Sequence, residues 1–233
     1  MTQRRAFLKF TAALAGVLAL PAHAAQKTKI GIVGSGRVGG AIGAAWVKAG
    51  HEVMFSSRDI AHDRELAAKL GPNARAGTPK EAAAFGEVVM ISVPYRALPE
   101  VGKDIAGLLK GKVVIDTCNP FDGRDGDIAK WARDKGVGLA SAELLPGARL
   151  VRAFNAISWV RMGDAHKEPG RIGMPIAGDD PKALALASAL VRDVGYVPVV
   201  VGGLAKGNYL VPGTAVSGEH SPDELRRIVA TLK

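Results

Sequence analysis

Residues 29–40 read Lys-Ile-Gly-Ile-Val-Gly-Ser-Gly-Arg-Val-Gly-Gly, and no other stretch limits the fold of this chain so strongly. A β-branched run from Ile30 to Val33 enters a glycine loop, Gly34-x-Gly36-x-x-Gly39. An amphipathic segment, Ala41 to Ala49, follows and stops at Gly50. That order predicts a strand, a tight turn and a helix whose N-terminus receives a dinucleotide pyrophosphate. Gly34 permits the turn, Gly36 lets the backbone approach the phosphates, and Gly39 lets the helix pack closely on the strand. The free N–H groups of the first helical turn then face the anion.

The next strand ends in a second signal. Glu52-Val53-Met54-Phe55 runs into Ser56-Ser57-Arg58. A chain reading NAD places Asp or Glu roughly 20 residues beyond the glycines, to bond the adenosine ribose 2′-hydroxyl. Two hydroxyls and a guanidinium stand here instead. A carboxylate repels the extra phosphate of NADP, whereas Arg pairs with it through charge-assisted bonds. The expected cofactor is therefore NADP. Asp59 is the competing reading, but it falls one residue later, where it can cap the following helix. A solvated surface arginine is the plain alternative for Arg58.

Strand and helix signals alternate along the chain, which predicts an α/β fold: a Rossmann-type, doubly wound, mostly parallel sheet with a short C-terminal extension. Strands are expected at 28–33, 52–56, 87–93, 112–116, 150–154, 174–178 and 196–201. Helices are expected at 37–49, 60–70, 79–84, 95–109, 126–135, 181–194 and 222–232. Thr78-Pro79-Lys80-Glu81 and Ser221-Pro222-Asp223-Glu224 each carry a hydroxyl cap, Pro at the first helical position and Glu at the third. Asp180-Pro181 is a third such start. These residues are structural by pattern. Residues 25–202 form the expected NADP-binding domain, with 203–233 packing on it as an extension. Segment 203–220 is the least regular, and it either folds over the ligand or lies at a subunit contact.

Residues 1–24 are set apart as a signal peptide. Arg4-Arg5-Ala6-Phe7-Leu8-Lys9 precedes an apolar run from Phe10 to Leu20 and then Pro21-Ala22-His23-Ala24. That is a charged region, a short apolar region and an A-x-A-like cleavage site after Ala24. The apolar run is short of the ~20 residues of a membrane span. Paired arginines followed by x-Phe-Leu-Lys resemble a twin-arginine leader, although Gln3 departs from the usual small hydroxyl residue; an ordinary secretory leader is the alternative. The expectation is an exported, periplasmic protein with no stable membrane span once the leader is removed. Three residues of that leader, Arg4, Arg5 and Lys9, contribute to the net charge of +9. The remaining basic excess is not clustered with aromatics as nucleic-acid binding requires, so no nucleic-acid partner is expected. Cys118 is the only cysteine, which rules out an internal disulfide. It reads as a small, part-buried thiol.

In a doubly wound sheet the ligand lies outside the carboxyl ends of the strands. The candidates there are Ser92-Val93-Pro94, Thr117-Cys118-Asn119-Pro120 and Phe154-Asn155-Ala156-Ile157. Val93 and Pro94 offer an apolar wall. Asn119 and Asn155 are read either as partners of the carboxamide or substrate, or as turn residues satisfying their own backbone. No Gly-x-Ser-x-Gly elbow, His-Glu-x-x-His or Cys-x-x-Cys pair occurs, so neither a catalytic side chain nor a metal site is assigned. Tyr95, Tyr209 and His220 remain as outside candidates for a proton donor, the tyrosines reading first as packing residues.

The chain resembles the NADPH-dependent coenzyme F420 reductases, whose dinucleotide domain is shared with pyrroline-5-carboxylate reductases and STEAP-type ferric reductases. The resemblance rests on Gly31 to Gly39, Gly50-His51-Glu52-Val53 leading to Ser56-Ser57-Arg58, Val89 to Pro94, Val114 to Pro120, Leu150 to Asn155 and Ile176 to Asp180. It implies NADP phosphates on Ser35, Gly36, Arg37 and Val38, the 2′-phosphate on Ser57 and Arg58, and Ser92, Val93 and Ala153 along the ribose and nicotinamide. Arg37 departs from the smaller polar residue often found in the family. The implied reaction is hydride transfer between NADP(H) and a stacked acceptor of deazaflavin, flavin or metal-reductase type, which asks the protein for alignment and exclusion of water. The partner is thus a small-molecule or cofactor electron acceptor, with a homodimer admitted. A non-catalytic NADP-binding scaffold is the second reading.

Overall fold

The structure is a computed structural model that describes residues 27–232. The leader expected at residues 1–24 lies outside the described residues. In chain order the elements are β1 (Lys29–Val33), α1 (Arg37–Lys48), β2 (Glu52–Ser56), α2 (Ile60–Leu70), β3 (Ala74–Ala76), α3 (Pro79–Phe85), β4 (Val88–Ile91), α4 (Leu98–Leu109) and β5 (Val113–Asp116). The second half adds α5 (Asp122–Asp125), α6 (Asp127–Lys135), α7 (Val137–Leu144), β6 (Arg149–Arg152), α8 (Trp159–Met162), β7 (Gly173–Gly178), α9 (Pro181–Asp193), β8 (Val197–Gly202) and α10 (Pro222–Thr231). A 3₁₀ segment, Leu204–Leu210, connects β8 towards α10.

The eight strands form one sheet in the order β3-β2-β1-β4-β5-β6-β7-β8. Every pairing is parallel except β6 with β7. The order reverses between β1 and β4, and that is where the crevice of a doubly wound sheet opens. The short Ala74–Ala76 strand and helices α5, α7 and α8 were not expected from the sequence. Thr78 and Glu81 close a reciprocal capping box, and Asp59, Asp180 and Ser221 cap α2, α9 and α10 through their side chains.

The inner strands β1, β4, β5, β6 and β7 are largely buried on both faces, so their alternation divides the core in two. Ile30, Ile32, Val88, Met90, Val113, Ile115 and Val151 face the layer of α1 and α9, where they meet Ile42, Trp46, Leu190 and Val191. Val33, Val89, Ile91, Val114 and Leu150 face α4, α6 and α7, with Leu98, Ile105, Ala132 and Ala140. Trp46 also donates Nε1–H to the Leu190 carbonyl at 2.9 Å. Gly39 sets how closely α1 lies on the sheet: a Cβ there would sit 2.1 Å from the Gly34 carbonyl oxygen.

His51, Cys118 and Tyr95 all serve the scaffold. The His51 ring takes the Thr28 N–H at 3.2 Å and meets Asp193 at 3.0 Å, tying β1 to α9. Tyr95 is buried against Ser141 at 3.2 Å, and burial pushes its phenol well up. Cys118 is more deeply buried than the sequence suggested, and burial pushes its thiol up as well. His220 leans on the end of α10, with Nδ1 3.5 Å from Glu224, and its carbonyl accepts the Gly173 N–H of β7.

The costliest polar feature inside the sheet is an ion pair. Arg152 and Asp116 have fully buried side chains, with Nη1 2.5 Å from Oδ2. Asp116 Oδ1 also accepts the Cys118 N–H at 2.7 Å, and Arg152 Nη2 donates to the Cys118 carbonyl at 3.1 Å. The pair thus braces the turn after β5 from β6. Removing the cation leaves a buried carboxylate without compensation. Arg152→Ala should therefore lower the unfolding free energy by about 3–5 kcal/mol, read from urea denaturation; a loss below about 1 kcal/mol contradicts this role.

Candidate dinucleotide site

A cleft of about 840 Å³ opens at the carboxyl ends of β1, β2 and β4, within the size range of small-molecule and cofactor sites. The glycine loop forms one lip. Its Gly34 and Ser35 N–H groups both donate to the Ser56 carbonyl, at 2.8 and 3.0 Å, which fastens the loop to the end of β2. Gly34 stands at φ +104, and a Cβ there would lie 2.2 Å from the Ser92 carbonyl oxygen. Only glycine fits.

Gly36 caps α1 without a side-chain bond. The N–H groups of Gly36, Arg37 and Val38 find no acceptor among the described residues. A Cβ on Gly36 would meet nothing within 4 Å, so the space in front of this residue is open. Unsatisfied helical N–H groups beside an open space that glycine keeps clear are what a phosphate needs. The residues present fit the pyrophosphate of a dinucleotide.

The cleft is lined by charges of both signs. Ser57 and Arg58 follow β2, and Thr78, Pro79 and Lys80 open α3. Arg58 and Lys80 are exposed, and neither has a hydrogen bond or ion pair among the described residues. Glu100 and Asp104 lie one turn apart on α4, and Arg96, just before that helix, also lines the cleft while donating to the Arg124 carbonyl. Val93, Pro94, Ala97, Val101 and Ile105 supply apolar surface. This lining suits a flat heterocycle, with cations for a phosphate. The sequence reading missed Lys80, Glu100 and Asp104, whose only linear signal is that Lys80 follows the proline of a capping box.

Of the predicted site residues, Gly34, Gly36, Ser57, Arg58, Ser92, Val93 and Pro94 line this cleft. The others do not, for identifiable reasons. The Ser35 hydroxyl is buried and donates to Asp63. The Ser56 hydroxyl donates to the Ile32 carbonyl at 2.6 Å, so Ser56 contributes its carbonyl to the loop and no side chain to a ligand. Val38 and Gly39 lie within α1. Arg37 turns away to the Trp159 ring, 5.1 Å from its centroid, a cation–π contact reaching to α8.

The region after β5 and β6 is closed. Ala153 is fully buried. Asn119 donates to the Asn155 carbonyl at 2.7 Å and accepts from Arg152 at 3.2 Å, so it is a tertiary clasp, which neither of its two readings anticipated. Asn155 is buried, and neither atom of its amide has a hydrogen-bond partner among the described residues. Phe154, just before it, is the one non-glycine residue at positive φ (64°) among the described residues. Its ring is held edge-on by Trp46 and Tyr196, at 6.0 and 6.2 Å. A bulky residue in that conformation is strained and needs its surroundings to hold it.

Comparison with known proteins decides the class. Residues 29–120 match the family described as NADP oxidoreductase, coenzyme F420-dependent. An F420-dependent NADP reductase of Methanothermobacter thermautotrophicus is 30% identical over 190 residues, which cover 76% of this chain and 82% of that protein. The chain belongs to this family. It is by that membership an NADP-dependent oxidoreductase. The metalloreductase STEAP3 of Rattus norvegicus is 29% identical over 181 residues; these are 77% of this chain and 35% of that protein, so the chain spans about a third of its length. Among solved structures, a putative F420-dependent NADP reductase of Arthrobacter sp. FB24 superposes with a TM-score of 0.68 at 22% identity, covering 78% of this chain and 90% of the other. That likeness shows the shared fold.

Because a side chain at position 36 would project into open space, Gly36→Val should fold with an unchanged melting temperature and fail to bind NADPH by calorimetry. Binding as tight as that of the unaltered chain would remove the loop from the site.

Proposed function

We propose that this protein transfers hydride between NADP(H) and a stacked acceptor seated against the nicotinamide, of deazaflavin, flavin or metal-reductase type, a flavin taking the hydride and passing its two electrons on singly where a metal is the final acceptor. The observation that carries the reading is the Arg58 guanidinium, without a partner among the described residues, on the cleft wall beside the fastened glycine loop. When bound, the nicotinamide supplies the hydride. The chain's own residues bind and align. The N–H groups of Gly36, Arg37 and Val38 receive the pyrophosphate, and Arg58 with Lys80 receives the 2′-phosphate. Val93, Pro94 and Val101 take one face of the adenosine and exclude water from it. F420-dependent reductases and a metalloreductase among the relatives support the choice of acceptors.

Export through the leader at residues 1–24 and association into a homodimer belong to the same proposal. No helix among the described residues is long and apolar enough to cross a membrane.

The test is NADPH oxidation with each acceptor class, followed by nicotinamide absorbance, in the unaltered chain and in Arg58→Ala. Losing one charged hydrogen bond should weaken NADPH by about 1.5–3 kcal/mol and leave NADH nearly unaffected. Equal losses for the two coenzymes would falsify the assignment of Arg58. NADPH that binds tightly while no acceptor oxidises it points instead to the scaffold reading.

A further inference from the structure

The carboxylate that the sequence lacks at the end of β2 is delivered there by α2. Asp63 stands in the first turn of α2 and is fully buried. One of its oxygens accepts the Ser35 hydroxyl of the glycine loop. The other accepts the Ser57 hydroxyl at 2.9 Å. No cation lies within ion-pair distance of Asp63 among the described residues. A buried anion is therefore held by two hydroxyls, one of which lines the cleft next to Arg58.

Hydrogen counting fixes what Ser57 can still offer. A hydroxyl has one hydrogen and two lone pairs. Two acceptors compete for the hydrogen: the Asp63 carboxylate at 2.9 Å and the Asp59 carbonyl at 3.2 Å. The carboxylate is closer and charged, so it holds the hydrogen. The Asp59 N–H, at 3.0 Å, fills one lone pair. What remains is a single lone pair, which can accept from a ribose hydroxyl but has nothing to donate to a phosphate. In this bonding pattern the Ser57 hydroxyl, which the family resemblance places at the 2′-phosphate, presents a lone pair to the cleft.

Building on the dinucleotide reading above, we propose that Asp63, acting through Ser57, sets the coenzyme selectivity and lets the site take NADH beside NADPH. The ribose 2′-hydroxyl of NADH donates to Ser57 Oγ, whose own hydrogen is committed to Asp63. Arg58 pulls the other way, towards the 2′-phosphate, while the buried negative charge of Asp63 opposes it. Asp63 is a positioning residue: it touches the ligand only through Ser57, and it links the pyrophosphate loop to the ribose loop through Ser35.

The experiment is equilibrium titration of the unaltered chain, Asp63→Asn and Asp63→Ser with NADPH and NADH, alongside melting curves. The unaltered chain should bind both coenzymes. Both variants should shift the ratio of dissociation constants towards NADPH by tenfold or more, because NADH loses its prepared acceptor and the phosphate loses an opposing charge. Should both variants fail to fold, Ser57→Ala carries the test: it should weaken NADH at least fivefold more than NADPH. Loss of both coenzymes by a common factor in the folded variants, or the opposite order in Ser57→Ala, overturns the proposal. So does an unaltered chain that binds NADPH and ignores NADH. A chain that binds neither coenzyme overturns the dinucleotide reading as well, which separates the two failures.

Discussion

The Ser56 carbonyl receives two N–H groups at once, from Gly34 and Ser35, and the ligand-facing side of the sheet is arranged around that contact. It folds the loop after β1 over the end of β2. The next three N–H groups, at the head of α1, are then left without acceptors among the described residues. It also brings Ser57 and Arg58 alongside the loop, so the edge proposed for the pyrophosphate and the edge proposed for the ribose become neighbours. Left-handed backbone at Gly34 is the price of this turn, and the 2.2 Å that would separate a Cβ from the Ser92 carbonyl shows why no other residue serves.

The cleft also carries charges of both signs. Arg58 and Lys80, without a partner among the described residues, share its lining with Arg96, two carboxylates, Glu100 and Asp104, and apolar side chains. A ligand that carries both an anionic group and an amino group suits such a lining, and an adenosine phosphate has both. Deeper in the fold, charge is handled differently. Asp116 and Arg152 neutralise each other inside the sheet, whereas Asp63 has only hydroxyls for company. A buried carboxylate without a cation is costly to keep, and its place under the ribose edge gives it a role in selectivity.

Much of this was readable from residues in line. The β-branched run, the three glycines and the helix after them are local signals, and so are the caps at Thr78, Asp180 and Ser221. Arg58 was legible because the position after β2 has a known chemical meaning. What escaped was tertiary. Ala74-Arg75-Ala76 lacks β-branched residues and is a strand only because β2 offers it an edge. The apolar run of α7 has no clear periodicity, and Gly138 is there because Leu204 approaches so closely. Asp63 reads as an ordinary polar residue of a helix; only the folded chain shows both serines turned towards it. Asn119 and Asn155 were noticed for their location, but their different fates depend on Arg152, which reaches one and leaves the other unpartnered.

The central claim is that the edge between β1 and β2 grips an adenosine carrying a 2′-phosphate. Calorimetric titration of the chain with 2′,5′-ADP and with 5′-ADP addresses it without any redox partner. The account predicts saturable binding of both, with the 2′-phosphorylated compound at least about tenfold tighter, a difference of about 1.4 kcal/mol. Equal affinity for the two, or no heat from either, would contradict it.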